Sequence, residues 1–202
     1  MVQATGVLKY LLKTKNYGLS FKKSNQDVKL FSSARIFDKV NDPGCAAQLY
    51  ADADWAGDPK DIICYSGYVF IFAGSAIGWP SHKQKAVGTS SRNAEYISMN
   101  DAVKELLFLQ GLLGEILGKT KPMTLYSDSQ SAIKSLNRGS LDYKNKYIKV
   151  RFNEVMQETK LGNVLVKYKC SEDMVADVLT KSLGKVKHAR CLEGLGVIDL
   201  KL

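Results

Sequence analysis

The stretch QLYADADWAGD, Gln48 to Asp58, alternates apolar and polar residues into two aspartates, and this period of two confines it to a β-strand. Read so, Tyr50, Asp52 and Asp54 share one face and Leu49, Ala51 and Ala53 the other. A strand with an apolar body therefore ends in stacked carboxylates. A turn signal, Asp42-Pro43-Gly44, stands just ahead of it.

The elements that follow define an order. SGYVFIFAGSAIGW holds two β-rich runs parted at Gly74-Ser75, the pattern of a hairpin, and KAVGTSS, from Lys85 to Ser91, is expected as a third strand. A long helix is predicted next, capped by Ser90 or Ser91, with an apolar stripe at Val103, Leu106, Leu107, Leu113 and Leu117. KPMTLYSD reads as a strand, SQSAIKSL as the start of a helix, and NKYIKVRFNEVMQETK as a helix with Ile148, Phe152, Val155 and Met156 inward. GNVLVKYKC is another strand, and a last core helix is expected from about Glu172. The order β-β-β-α-β-α-α-β-α implies an α/β fold: a mixed five-stranded sheet, three antiparallel strands then parallel βα units, with helices on both faces.

Residues 1–44 are expected to form a leader with an amphipathic basic helix through Val7, Tyr10, Leu11 and Leu12. The main domain is placed at 45–184, and a tail with room for one short helix at 185–202. The 202 residues suffice for one core. No apolar run approaches the roughly 20 residues that span a bilayer, and the first residues lack a secretory signal, so an intracellular chain with no membrane partner is expected. Four scattered cysteines and two histidines do not give zinc-site spacing. A formal charge of +9 favours an anionic partner, nucleic acid first.

Four acids fall where such a fold could gather them. Asp52 ends the first strand, Glu95 lies in the first turns of the long helix, Asp128 ends MTLYSD, and Asp177 lies in the last core helix. Taken singly, each also reads as a cap, turn or solvated helix residue. Gathered together they would repel one another unless cations were shared among them. All-oxygen ligands suit two Mg²⁺ ions, with Mn²⁺ able to substitute, as in phosphodiester hydrolysis.

The motifs YADADWAGD, SGYVFIFAGSAIGW, HKQKAVGTSSRNAEYIS, LYSDSQSAI and VADVLTKSL resemble, in order and spacing, the ribonuclease H domain of copia-like LTR retrotransposon Pol polyproteins. VLKYLLKTKNYGLSF resembles the segment joining reverse transcriptase to that domain. The resemblance implies a ribonuclease H-like fold and hydrolysis of the RNA strand of an RNA/DNA hybrid, leaving a 3′-hydroxyl and a 5′-phosphate. It implies the reverse transcriptase domain as a partner, and a cytoplasmic virus-like particle, or the nucleus, as the location. It places the catalytic and metal-binding set on Asp52, Glu95, Asp128 and Asp177, with Asp54 as a neighbour. Where the family reads close to DRKSTSGY and STEAEY, this chain has DIICYSGY and SRNAEY, and no histidine follows in the KYI segment.

Contacts to the hybrid are expected from Lys83, Lys85, Arg92, Lys146, Lys149 and Arg151 on its phosphates, with Lys144 in the same row. Ser90, Ser91, Gln130 and Ser131 could read ribose hydroxyls; plain capping is the other reading of these four. Trp55 and Trp79 are read as packing residues. Two alternatives remain open: a catalytically inactive, domesticated module that binds nucleic acid or a partner protein, and a transposase or integrase of the same superfamily, which a glutamate in the first helix argues against.

Overall fold

The computed structural model describes residues 2–21, 47–54, 64–84, 90–117, 122–141 and 146–200. In chain order these form α1 (Val2–Lys13), β1 (Tyr17–Leu19), β2 (Gln48–Asp54), β3 (Tyr65–Phe72), β4 (Ser75–Gly78), β5 (Ser81–Lys83), α2 (Ser91–Leu117), β6 (Met123–Ser127), α3 (Gln130–Arg138), α4 (Lys146–Lys160) and β7 (Val164–Tyr168). Two 3₁₀ turns, Ser171–Asp173 and Val175–Leu179, α5 (Lys185–Gly194) and β8 (Val197–Asp199) complete the chain.

The central sheet runs β4-β3-β2-β6-β7, with β5 also paired to β3. Strands β2, β3 and β4 are antiparallel, and β2, β6 and β7 are parallel, so the sheet is mixed as expected. Ala73 (φ 51°) and Gly74 (φ 78°) both take left-handed backbone and close the β3-β4 hairpin in two residues, which matches the twist of the strands they join. The turn thus sits one residue earlier than the Gly74-Ser75 break suggested.

The third strand expected from Lys85 to Ser91 falls mostly on residues 85–89, outside the described residues, although Ser91 at its end opens α2; the described strand that follows β4 is Ser81–Lys83. Pro80 separates β4 from β5; lacking an N–H, it interrupts the ladder, and its carbonyl accepts from the Tyr68 amide at 3.2 Å.

Alternation along β2 sorts its side chains between two cores. Leu49 and Ala51 pack with Tyr96, Val103, Leu106, Phe152 and Val155 beneath α2 and α4. Tyr50 packs with Val69, Met174, Val175 and Leu195 beneath the 3₁₀ turns and α5. Both faces are covered, which explains why β2 and β3 are almost wholly buried.

A small second sheet had no counterpart in the sequence reading. β1 pairs antiparallel with β8, Tyr17 opposite Asp199 and Leu19 opposite Val197. The Ser75 hydroxyl donates to the Ser20 carbonyl at 2.5 Å and so ties this ribbon to β4. α1 is mostly exposed, including Val7, Leu8, Leu11 and Leu12.

Candidate active site

Register brings the first two acids together. β2 pairs with β6 as Gln48↔Thr124, Leu49↔Leu125 and Tyr50↔Tyr126. Carried two residues further, the same offset sets Asp128 opposite Asp52. Asp177 arrives from the opposite direction, on the turn Val175–Leu179 that packs under β2 and β3. This turn is 3₁₀ rather than the α-helix expected, and Asp177 accepts the Thr180 and Lys181 amides on its carbonyl at 3.2 and 2.9 Å. One carboxylate oxygen from each of Asp52, Asp128 and Asp177 lies within 4.8 Å of the other two.

Close approach of the turn to the sheet depends on a missing side chain. Gly67 stands opposite Asp52 on β3, and a Cβ there would meet Thr180 Cγ2 at 2.7 Å and Leu179 Cβ at 2.8 Å. Glycine therefore lets the turn carrying Asp177 settle against the strand carrying Asp52.

Asp52 and Asp177 have no exposed surface, whereas Asp128 is half-buried. Burial pushes the Asp52 carboxyl up to about 6; Lys181 pulls it down and Asp177 pushes it up. Glu95, at 8% exposure, is held well above the usual carboxylate range by burial, then by the charges of Asp52 and Asp128. Its Oε2 is buried and, among the described residues, has no hydrogen-bond partner. Helix α2 thus delivers a fourth carboxyl that senses the other three.

Side chains that the sequence reading did not single out close around these acids. Lys181 donates to Asp52 Oδ1 at 2.9 Å and to Asp177 Oδ1 at 3.1 Å. Lys187 pairs with Asp177 Oδ2, and the Thr180 hydroxyl donates to Asp52 Oδ2. Ser171 donates to Asp128 Oδ2 at 2.6 Å. Burial alone would lower the Lys181 pKa, but Asp52 and Asp177 outweigh it and hold the ammonium charged. The Asp177-x-x-x-Lys181 spacing was the one local signal for this contact; nothing in the sequence pointed to Ser171 or Lys187.

The residues expected to touch a substrate sit around and beyond this cluster. Ser90 accepts the Asn93 amide on its hydroxyl at 3.3 Å at the start of α2, Ser91 is exposed and Arg92 is half-buried. Gln130 and Ser131 are exposed at the start of α3, which Ser129 caps through the Ala132 amide at 3.4 Å. Lys83, Lys146 and Lys149 are exposed. Lys85, Lys144 and Trp55 lie outside the described residues. Arg151 bridges α4 to α2, donating to Asp101 at 2.8 Å and Asn100 at 3.1 Å and lying over the Tyr147 ring. Lys83, His82, Lys104 and Arg151 line one groove of about 500 Å³ between β5, α2 and α4. Trp79 is 53% exposed at the sheet edge.

The donor set is chemically suited to hard divalent cations: carboxylate oxygens converge from three segments, and a buried acceptor on Glu95 lacks a partner. Repulsion within such a cluster is what a bound cation relieves.

Among known proteins, the retrovirus-related Pol polyprotein from transposon RE2 of Arabidopsis thaliana is 30% identical over 195 residues, 96% of this chain and 12% of that protein. The chain spans about an eighth of the length of the curated relatives it matches first. RNase H1 from the halophilic archaeon Halobacterium salinarum NRC-1 superposes with a TM-score of 0.50 at 14% identity, over 67% of this chain and 94% of that one. The foamy viral protease-reverse transcriptase, solved in complex with an RNA/DNA hybrid, superposes with a TM-score of 0.50 at 16% identity, over 79% of this chain and 23% of that one. No protein-family model matches the chain.

Proposed function

Starting from a chain that has the ribonuclease H fold and is homologous to part of the Pol polyproteins of copia-like transposons, we propose that it is a metal-dependent ribonuclease H. Its substrate is the RNA strand of an RNA/DNA hybrid, cleaved to a 3′-hydroxyl and a 5′-phosphate. The observation that carries this reading is the convergence of Asp52, Asp128 and Asp177 within 4.8 Å, with the buried Glu95 against them.

Asp52, Glu95, Asp128 and Asp177 would hold two Mg²⁺ ions, or Mn²⁺ in their place. Bound there, the ions would supply an activated water and neutralise charge on the scissile phosphate. The chain's own residues set the stage for that chemistry. Ser171 and Thr180 fix the carboxylate planes of Asp128 and Asp52 by donating to one oxygen of each. The backbone of β2 is held in turn by Ser98, whose hydroxyl donates to the Asp52 carbonyl at 2.7 Å. Lys83 and Lys104, from the groove beside α2, together with Lys146 and Lys149 on α4, present positive charge to a nucleic-acid backbone. The foamy viral neighbour's hybrid complex supports a hybrid as the ligand of this fold.

The Pol context supports a reverse transcriptase domain as the natural partner. A virus-like particle in the cytoplasm, or the nucleus, is the location that goes with this reading.

Incubation with a labelled hybrid in Mg²⁺, beside the Asp128→Asn variant, tests the reading. The parent should cut only the RNA strand, and the variant should lose at least about a hundredfold in rate, as expected when one ligand of a two-metal site is neutralised. Equal cutting by both would discard the assignment of Asp128. No cutting by either would favour a module that binds without turnover.

A further inference from the structure

Three side chains, Thr180, Lys181 and Lys187, pair with the carboxylate oxygens of Asp52 and Asp177. Lys181 Nζ lies between Asp52 and Asp177, 2.9 and 3.1 Å from one oxygen of each. A divalent cation shared by Asp52 and Asp177 would draw on these same two carboxylates, and an ammonium and a metal ion cannot both occupy the space between them. Lys187, by contrast, reaches Asp177 Oδ2, the other oxygen, and the Thr180 hydroxyl reaches Asp52 Oδ2. Among these groups Lys181 alone bridges the carboxylates of two of the acids; the second contact of the Thr180 hydroxyl is with the Asp177 main-chain carbonyl at 3.3 Å.

The position of Lys181 is built into the fold. It stands four residues after Asp177, and its amide closes one helical turn on the Asp177 carbonyl at 2.9 Å. Its side chain keeps 32% exposure while both aspartates are sealed. A lysine with a buried stem and a partly wet tip can swing its ammonium outward without unfolding anything.

We infer that Lys181 is an internal counter-ion of the active site, which a divalent cation must displace from between Asp52 and Asp177 in order to bind. The inference rests on the metal-binding reading proposed above and goes beyond it. It makes metal binding an exchange of one cation for another, so that affinity measures the difference between two occupants of the same carboxylates. It also places a freed ammonium at the rim of the site, next to wherever an anionic phosphate would approach the acids. Lys181 is in this sense a positioning residue: it keeps mutually repelling carboxylates in place until the ion arrives.

The test is Mn²⁺ binding in the absence of substrate. The full chain is stripped with EDTA, exchanged into metal-free buffer and titrated with Mn²⁺ by calorimetry and by electron paramagnetic resonance. Three proteins are compared: the parent, Lys181→Gln, and Lys160→Gln as a control for loss of one remote positive charge. Lys181→Gln should bind Mn²⁺ at least about tenfold more tightly than the parent, because an ion-ion competition at contact distance has been removed. Lys160→Gln should match the parent. A second readout needs no variant: reductive methylation followed by mass spectrometry should label Lys181 slowly in EDTA and several times faster at saturating Mn²⁺.

Equal Mn²⁺ affinity in the parent and Lys181→Gln would overturn the inference and leave the metal site standing. So would labelling of Lys181 that does not change with Mn²⁺, and this outcome decides the matter if Lys181→Gln does not fold. Absence of Mn²⁺ binding to both parent and variant would overturn the inference and the metal-site reading together.

Discussion

At the scale of single residues, the acid cluster links function to stability through pH. Asp52 has a folded pKa of about 6 and Glu95 one raised well above its ordinary value, so the folded chain binds protons more tightly than the unfolded chain does. For groups raised in this direction the contribution to stability is full below the unfolded pKa, near 4 for a carboxyl, and is lost as pH climbs through the folded value. Lys181 is also raised, but its window opens only in the alkaline range and leaves this interval untouched. In chelator, stability should therefore fall between about pH 4.5 and 7.5, by on the order of 2 kcal/mol for Asp52 alone, and the melting temperature should fall with it. Added Mg²⁺ or Mn²⁺ should restore it, and more so at the higher pH, where the ligands are ionised. A melting temperature that rises with pH in chelator would contradict this account. Asp52 and Asp128 were legible as the ends of strand runs, and Glu95 and Asp177 as members of expected helices. Lys181, Lys187 and Ser171 were not, because a lysine or serine beside acids in sequence looks like any solvated neighbour until the turns are folded.

At the scale of elements, the site depends on one 3₁₀ turn lying flush against β3. The sequence predicts a helix from about Glu172 through this region. Packing against the sheet and the bridging ammonium select a tighter five-residue turn instead. Gly67→Ala tests the fit. The added Cβ would sit 2.7 Å from Thr180 Cγ2 and 2.8 Å from Leu179 Cβ, and neither is the tip of a long flexible chain. Denaturant unfolding should show a loss of roughly 1–3 kcal/mol, and Mn²⁺ affinity should fall with it as Asp177 is pushed away from Asp52. Wild-type stability and Mn²⁺ affinity in this variant would show that the turn has slack. The longer elements were readable for the converse reason: β2, β3, α2 and α4 each repeat their apolar period often enough to declare a face. β1 and β8, at three residues each, do not.

At the scale of the whole molecule, the two ends of the described chain are joined to each other before either is joined to the large sheet. Ser20 donates its amide to the Gly196 carbonyl at 2.8 Å, Leu200 donates to Asn16 at 2.9 Å, and the Ser75 hydroxyl reaches the Ser20 carbonyl. Removal of residues 1–20 should leave the acid cluster intact, since all four carboxyls sit on or against the large sheet. It would also strip β8 of its partner and leave the Ser75 hydroxyl without its acceptor, costing about 1–3 kcal/mol. The expected outcome is a lower melting temperature with Mn²⁺ binding retained, measured on the same preparation. Loss of Mn²⁺ binding would mean that the ribbon shapes the site as well as bracing it.

The antiparallel register of that ribbon has a mechanical consequence. Tyr17 faces Asp199 at the end where both strands leave the ribbon, and Leu19 faces Val197 at the far end. Tension applied through the flanking polypeptide would load these bonds one pair at a time, like a zipper, instead of shearing them together. The ribbon should therefore peel open at low force as the first event in a pulling experiment, leaving the half of the molecule that holds the acid cluster whole while its tethers lengthen.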